Sequence, residues 1–176
     1  MRKLTTLSLC LLLVTASTAL AQEAKKKPLS PPATATAKIG GTDVTIAYSA
    51  PSKRGRDIMG GLVPYGKVWR TGANAATTLT TSGDLMIGTL HVPAGSYSLF
   101  TIPGEKEWTL IVNKQTGQWG SDHDESKDLG RVTMKVAPVK DTVETFAIGV
   151  TPDGAKKGTL SMTWENVTAS VPVAVH

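Results

Sequence analysis

The sequence predicts an all-β protein. Apolar and small polar residues alternate with a period of two in one short segment after another, and Gly, Pro, Asn and Asp mark the breaks between segments. Helical periodicity is nearly absent after residue 33. Short strands in this number and spacing predict a two-sheet antiparallel β-sandwich, of jelly-roll or Greek-key type, carrying long irregular loops.

The N-terminus predicts export. Arg2 and Lys3 precede an apolar run from Leu7 to Leu20 that ends in Ala19-Leu20-Ala21, the pattern of a secretory signal with an A-x-A cleavage site. The run is too short and too rich in Ser and Thr for a membrane span, which needs about 20 apolar residues. Cleavage after Ala21 leaves Gln22 first. The single cysteine, Cys10, lies within the removed segment behind Leu7-Ser8-Leu9, which lacks the small residue of a lipoprotein site. Neither a lipid anchor nor a disulfide is therefore expected in the mature chain.

Residues 1–21 thus form the signal, 22–32 a solvated leader with Lys25-Lys26-Lys27, and 33–176 one domain. Two of the 19 basic residues leave with the signal, so 17 remain against 14 acidic ones, a balance of +3. With no basic run interleaved with aromatics, this argues against a nucleic-acid partner.

Along the domain, Val44, Ile46 and Tyr48 share one face of a strand. Thr77–Thr81 and Leu85–Leu90 flank Gly83-Asp84 as in a hairpin. Leu85–Leu90, Ser96–Ile102 and Trp108–Val112 read as a meander, the last apolar on both faces as in a central strand. Val132, Met134 and Val136 define the next inward set, and Phe146, Ile148 and Val150 another. Leu160, Met162 and Trp164 then lie at even positions, whereas Val167, Ala169, Val171 and Val173 lie at odd ones. That change of phase at Glu165-Asn166 predicts a β-bulge or bend, where the strand exchanges its faces. Two stretches break the rhythm, Pro51–Ala75 and Gly117–Gly130, and long loops of this kind commonly carry function.

Several motifs invite chemistry and fail on context. Gly61 to Lys67 has the spacing of a phosphate-binding loop, but Val68 stands where magnesium needs Ser or Thr, and Pro64 removes an amide donor. Asp122, His123, Asp124 and Asp128 suggest a cation loop. Lys127 replaces its turn glycine and Thr133 its closing glutamate, so no metal or other cofactor is expected. Gly95-Ser96-Tyr97-Ser98-Leu99 lacks the second glycine of a nucleophile elbow, and His91 reads as structural.

The densest constellation runs from Gly55 to Asn74. It combines Arg56, Tyr65, Trp69, Arg70 and Asn74 among glycines. This stretch resembles a family of exported bacterial domains of unassigned activity, marked by a G-R-x-I-x-G-x-L-V-P-Y-G-x-x-W-R-x-G-A-N signature. The resemblance extends to Pro93–Leu99, to Trp108 followed by Asn113, and to Gln118-Trp119-Gly120, and covers Ser30 to Val173. It implies an exported, compact domain, with an aromatic residue common where His123 stands.

Physically, aromatic faces, a guanidinium fork and an amide suit a small polar or saccharide-like envelope ligand, with Trp119 contributed by the second loop. Arg70 pairing with Asp57, and Asn74 bonding loop backbone, is the structural alternative. An envelope hydrolase using Asp57 and Asp124, and a partner-binding module without a small ligand, are the remaining readings, and the balance leans away from an enzyme.

Overall fold

The computed structural model describes residues 28–175, so the predicted signal, the lysine cluster and His176 lie outside the described residues. The described chain is all-β. Its strands are β1 (Pro32–Ile39), β2 (Thr42–Ser49), β3 (Thr77–Thr81), β4 (Leu85–Ile87), β5 (Leu90–Val92), β6 (Gly95–Ile102), β7 (Glu107–Asn113), β8 (Asp128–Pro152) and β9 (Lys157–Ala174). A single 3-10 turn, Glu125–Lys127, precedes β8.

All nine strands belong to one antiparallel sheet in the order β1-β2-β3-β6-β7-β8-β9-β4-β5, so hydrogen bonding does not divide them into two separate sheets. The physical reason is the length of the β8–β9 hairpin. Its first half pairs with β7, and register breaks between Pro138, Val143 and Ala147 bend it, so that the second half turns away. That half closes against the start of the chain: Phe146 N–H donates to Pro51 O (2.8 Å), and Ile148 N–H donates to the Tyr48 hydroxyl (3.0 Å). One bent sheet therefore wraps around one core, in which Ile39, Val44 and Ile46 meet Phe146, Ile148 and Leu160.

The bend lies where the apolar phase changes. Glu165 pairs with Val143 across the register break and has φ +54°, a left-handed conformation that few non-glycine residues adopt. The extra residue moves the inward set from Leu160, Met162 and Trp164 to Ala169, Val171 and Val173, all of them buried.

Two local expectations give way. β3 does not form a hairpin with β4; it pairs with β2 and β6, while β4 crosses to the far edge beside β9. The turn lies instead at Gly88, between β4 and β5. For the same reason β6 pairs with β3 and β7 rather than with β5, and the meander is β6-β7-β8. β7 does occupy the middle of the sheet. β6 and β7 are buried on both faces, because Phe100 and Ile111, with Ala76, form a second small cluster on the side away from the main core.

Candidate functional site

The two long loops meet at one end of the sheet. The first runs from Pro51 to Ala76, and is pinned by two apolar side chains and two carboxylates, one of them Glu144 on β8, which accepts from Arg54 N–H at 2.8 Å. Ile58 and Val63 are buried in the main core, and their backbones close a tight turn, with Val63 N–H on Ile58 O at 2.9 Å. Glu165, displaced inward by the bulge, accepts from the backbone N–H groups of Ile58 (3.3 Å) and Met59 (3.1 Å) and from Lys53 Nζ (2.5 Å). Burial by itself would raise the Glu165 pKa. The hydrogen bonds from Lys53, Met59 and Ile58 outweigh it and hold the carboxyl below its ordinary value.

Farther along, Trp69 exchanges two backbone hydrogen bonds with Thr101 on β6, at 2.7 and 2.9 Å. Its indole packs edge-on to Phe146 (centroids 4.9 Å apart) and Trp108 (6.2 Å), and stacks on Trp164 (5.8 Å). Most of the Trp69 ring is thus used by the core, and only a margin reaches the surface. Thr71 and Asn74 then have φ +54° and +61°. Such backbone persists only where surroundings hold it. Here buried Thr71 bonds Thr101 Oγ1 (3.2 Å), its carbonyl accepts from Thr77 Oγ1 (2.7 Å), and Asn74 Nδ2 donates to Ser49 Oγ (3.3 Å).

Arg70, between these fixed points, is partly buried. Its guanidinium makes one long hydrogen bond, Nη1 to Asn74 O at 3.4 Å, and no ion pair with any described carboxylate. Asp57, the partner that sequence proximity suggests, is exposed and without an ion pair among the described residues.

The second loop packs directly on Arg70. Ala75 and Trp119 form an antiparallel bridge, Gly120 N–H donates to Asn74 O (3.1 Å), and Ala76 N–H to Gln118 O (3.2 Å). A β-carbon at Gly120 would lie 2.5 Å from Arg70 Cδ and 2.7 Å from Asn74 O, so only glycine permits this approach. Trp119 itself is 54% exposed.

Beyond it, Asp128 at the start of β8 ties the loop down. Its Oδ1 accepts from Asn113 Nδ2 and His123 Nε2, both at 2.8 Å, and its Oδ2 from two nitrogens of Arg131 at 3.0 and 2.8 Å. Here too burial would raise the pKa, but the bonds from Asn113, Arg131 and His123 hold it below the ordinary value. The Asp128 hydrogen bond and charge in turn raise the Arg131 pKa. The His123 ring packs 4.8 Å from Phe100, covering the second cluster as an aromatic residue would.

Arg70 stands in the wall shared by two clefts. The first, about 360 Å³, is lined by Arg54, Arg56 and Arg70 together with Asn74, Trp69 and Trp164. The second, about 370 Å³, is lined by Lys67, Arg70, Ser121 and His123 beside Trp69. Neither has a carboxylate among its lining residues.

Of the residues singled out in the sequence, Arg56, Trp69, Arg70 and Asn74 come together in the first cleft. Arg56 is also clamped to its own loop, Nη2 on Ser52 O at 2.7 Å and Nε on Lys53 O at 3.0 Å. Tyr65 is 40% exposed against Gly60 and lines neither cleft, and the same holds for Trp119. Asp57 and Asp124 line neither cleft. Asp124 caps the 3-10 turn, and the bond from the Ser126 hydroxyl, with that of Lys127, lowers its pKa. Among the described residues no three His, Cys, Asp or Glu side chains gather as a metal site. Asp122 bonds Ser121, and His123 and Asp128 bond each other.

Sequence reasoning missed Arg54 and Lys67 as cleft residues, and Glu165 and Asp128 as anchors. The phase change signals Glu165, the incomplete phosphate-loop spacing Lys67 and the incomplete cation loop Asp128, whereas nothing in the sequence singles out Arg54.

No curated protein and no solved structure matches the chain. A family model matches residues 30–173, nearly all of the described chain, and the protein belongs to that family, described as a protein of unknown function (DUF2911).

Proposed function

We propose that this is an exported protein that binds a small anionic ligand, polar or saccharide-like and derived from the bacterial envelope, through the Arg56–Asn74 loop. One observation carries the reading: three arginines line a single cleft with no carboxylate opposite them, and Arg70 has only one weak hydrogen bond. A partly desolvated guanidinium normally finds an anion, and its planar fork fits a carboxylate or a phosphate. The rigid support of Arg70 by Thr71, Asn74 and Gly120 preorganises it for that role.

The test replaces the guanidinium and keeps the stem. Arg70→Met is expected to abolish binding of uronic acids and peptidoglycan fragments in a calorimetric screen. It should change stability by less than about 0.5 kcal/mol, as at sites without a buried partner. A melting temperature many degrees lower, with no compound binding to wild type, would make Arg70 a structural residue and end the proposal. Export is checked separately. The N-terminal sequence of protein recovered from the periplasm or medium should begin at Gln22, and one beginning at Met1 contradicts it.

A further inference from the structure

We infer that the second cleft is a binding site for a tetrahedral oxyanion, of the kind found at the end of a phosphate monoester. The inference rests on the reading of Arg70 as a ligand contact, and extends it to the opposite side of that residue.

The cleft is walled by both loops. Lys67 and Arg70 come from the first, Ser121 and His123 from the second, and no carboxylate faces them from the lining. Lys67 is exposed and forms no ion pair among the described residues. Two uncompensated cations about one concavity favour a dianion, whose oxygens they can share, over the single charge of a carboxylate.

The acidic residues near His123 are all bonded to protein groups other than Lys67 and Arg70. Asp128 bonds Asn113 and Arg131 besides His123, Glu125 pairs with Arg131, and Asp124 pairs with Lys127. Asp122 accepts from the Ser121 hydroxyl. These contacts hold the second loop still. The Ser121 hydroxyl and the His123 Nε2–H are thereby already spent on Asp122 and Asp128, which leaves Lys67 and Arg70 as the donors to a ligand.

Because Arg70 belongs to both clefts, one molecule can span them, with its polar body in the first and its phosphate in the second. The ligand class that follows is a sugar phosphate rather than a neutral sugar.

Calorimetric titration of the mature protein at constant ionic strength tests this, with inorganic phosphate, sulfate and acetate as probes. Phosphate and sulfate should bind at least about tenfold more tightly than acetate. Lys67→Met should weaken both about tenfold, and Arg56→Met, confined to the first cleft, should leave them unchanged.

Equal affinity for acetate, or phosphate binding indifferent to Lys67→Met, would overturn the inference. The two readings fail separately. Loss of the oxyanion site leaves uronic acid binding dependent on Arg56 and Arg70, whereas failure of the first cleft leaves phosphate binding dependent on Lys67.

Discussion

The two loops that build the clefts are fastened by the same device and differ in what the device grips. Each is held by a carboxylate of the sheet, Glu165 on β9 for the first loop and Asp128 on β8 for the second, and the first also by Glu144 on β8, which accepts from Arg54 N–H. Glu165 grips mainly backbone, the N–H groups of Ile58 and Met59, with Lys53 as counter-ion. Asp128 grips side chains: Asn113, His123 and Arg131. The first loop also inserts Ile58, Val63 and Trp69 into the main core, and the second lays only His123 over Phe100. The lesson is that a carboxylate on backbone amides sets the path of a chain almost independently of its side chains, which frees Arg54, Arg56 and Arg70 to face a cleft. A loop held through its side chains has less freedom to vary them.

Mutation of the two anchors is the sharpest way to break this comparison. Glu165→Ala leaves a largely buried lysine unpaired and two amides without acceptors. It should cost about 3 kcal/mol and about 6–12 °C in melting temperature. Asp128→Asn keeps an acceptor oxygen and loses the charge, so it should cost less, about 2 kcal/mol. The first variant should also abolish binding in the first cleft, and the second should loosen only the loop that contributes Ser121 and His123. Equal losses, or the reverse order, would show that backbone anchoring is not the stronger of the two. Denaturant midpoints and ligand titrations on both variants supply the comparison.

Acid exposes the same anchors with a smaller effect. Both carboxyls are held below their ordinary values, 4.5 for Glu165 and 3.8 for Asp128, so the unfolded chain takes up protons first as pH falls. Their contribution is therefore complete above these values and is lost as pH drops through the lower values of the folded state. Melting temperature should be level near neutrality and fall increasingly below about pH 5, and the Glu165→Gln, Asp128→Asn double variant should show a flatter decline. A double variant with the wild-type slope would mean that other carboxylates dominate acid unfolding.

Much of the site could be read in advance because its signals are local. The Gly55–Asn74 stretch announces a loop rich in ligand-type side chains, and four of its candidates do line one cleft. Trp69 was the instructive error of emphasis. A Trp beside an Arg in a glycine-rich loop reads as a stacking platform, yet Trp108, Phe146 and Trp164 converge on it from three strands and take most of the ring. Asp57 was a second. Proximity in sequence suggested an ion pair with Arg70, but its carbonyl closes a turn with Leu62 N–H at 3.0 Å, and no ion pair forms. His123 and Asp128 looked like parts of a failed cation loop, and instead form a hydrogen-bonded pair braced by Arg131 and Asn113.

By itself the sequence determined the all-β class, the inward faces of β2, β8 and β9, the central place of Trp108–Val112 and the bend at Glu165, while β1 went unread. All of these follow from a period-two pattern and its interruption, which neighbouring residues settle among themselves. Only the tertiary structure decided that β3 pairs with β6, that β4 crosses to the far edge, that Trp69 belongs to the core, and that Arg70 stands between two clefts without a counter-ion. Strand partners and ion pairs depend on which distant segments arrive at the same place. That is set by how the long β8–β9 hairpin bends and closes the sheet, a competition among the burial preferences of the whole chain that no single stretch records.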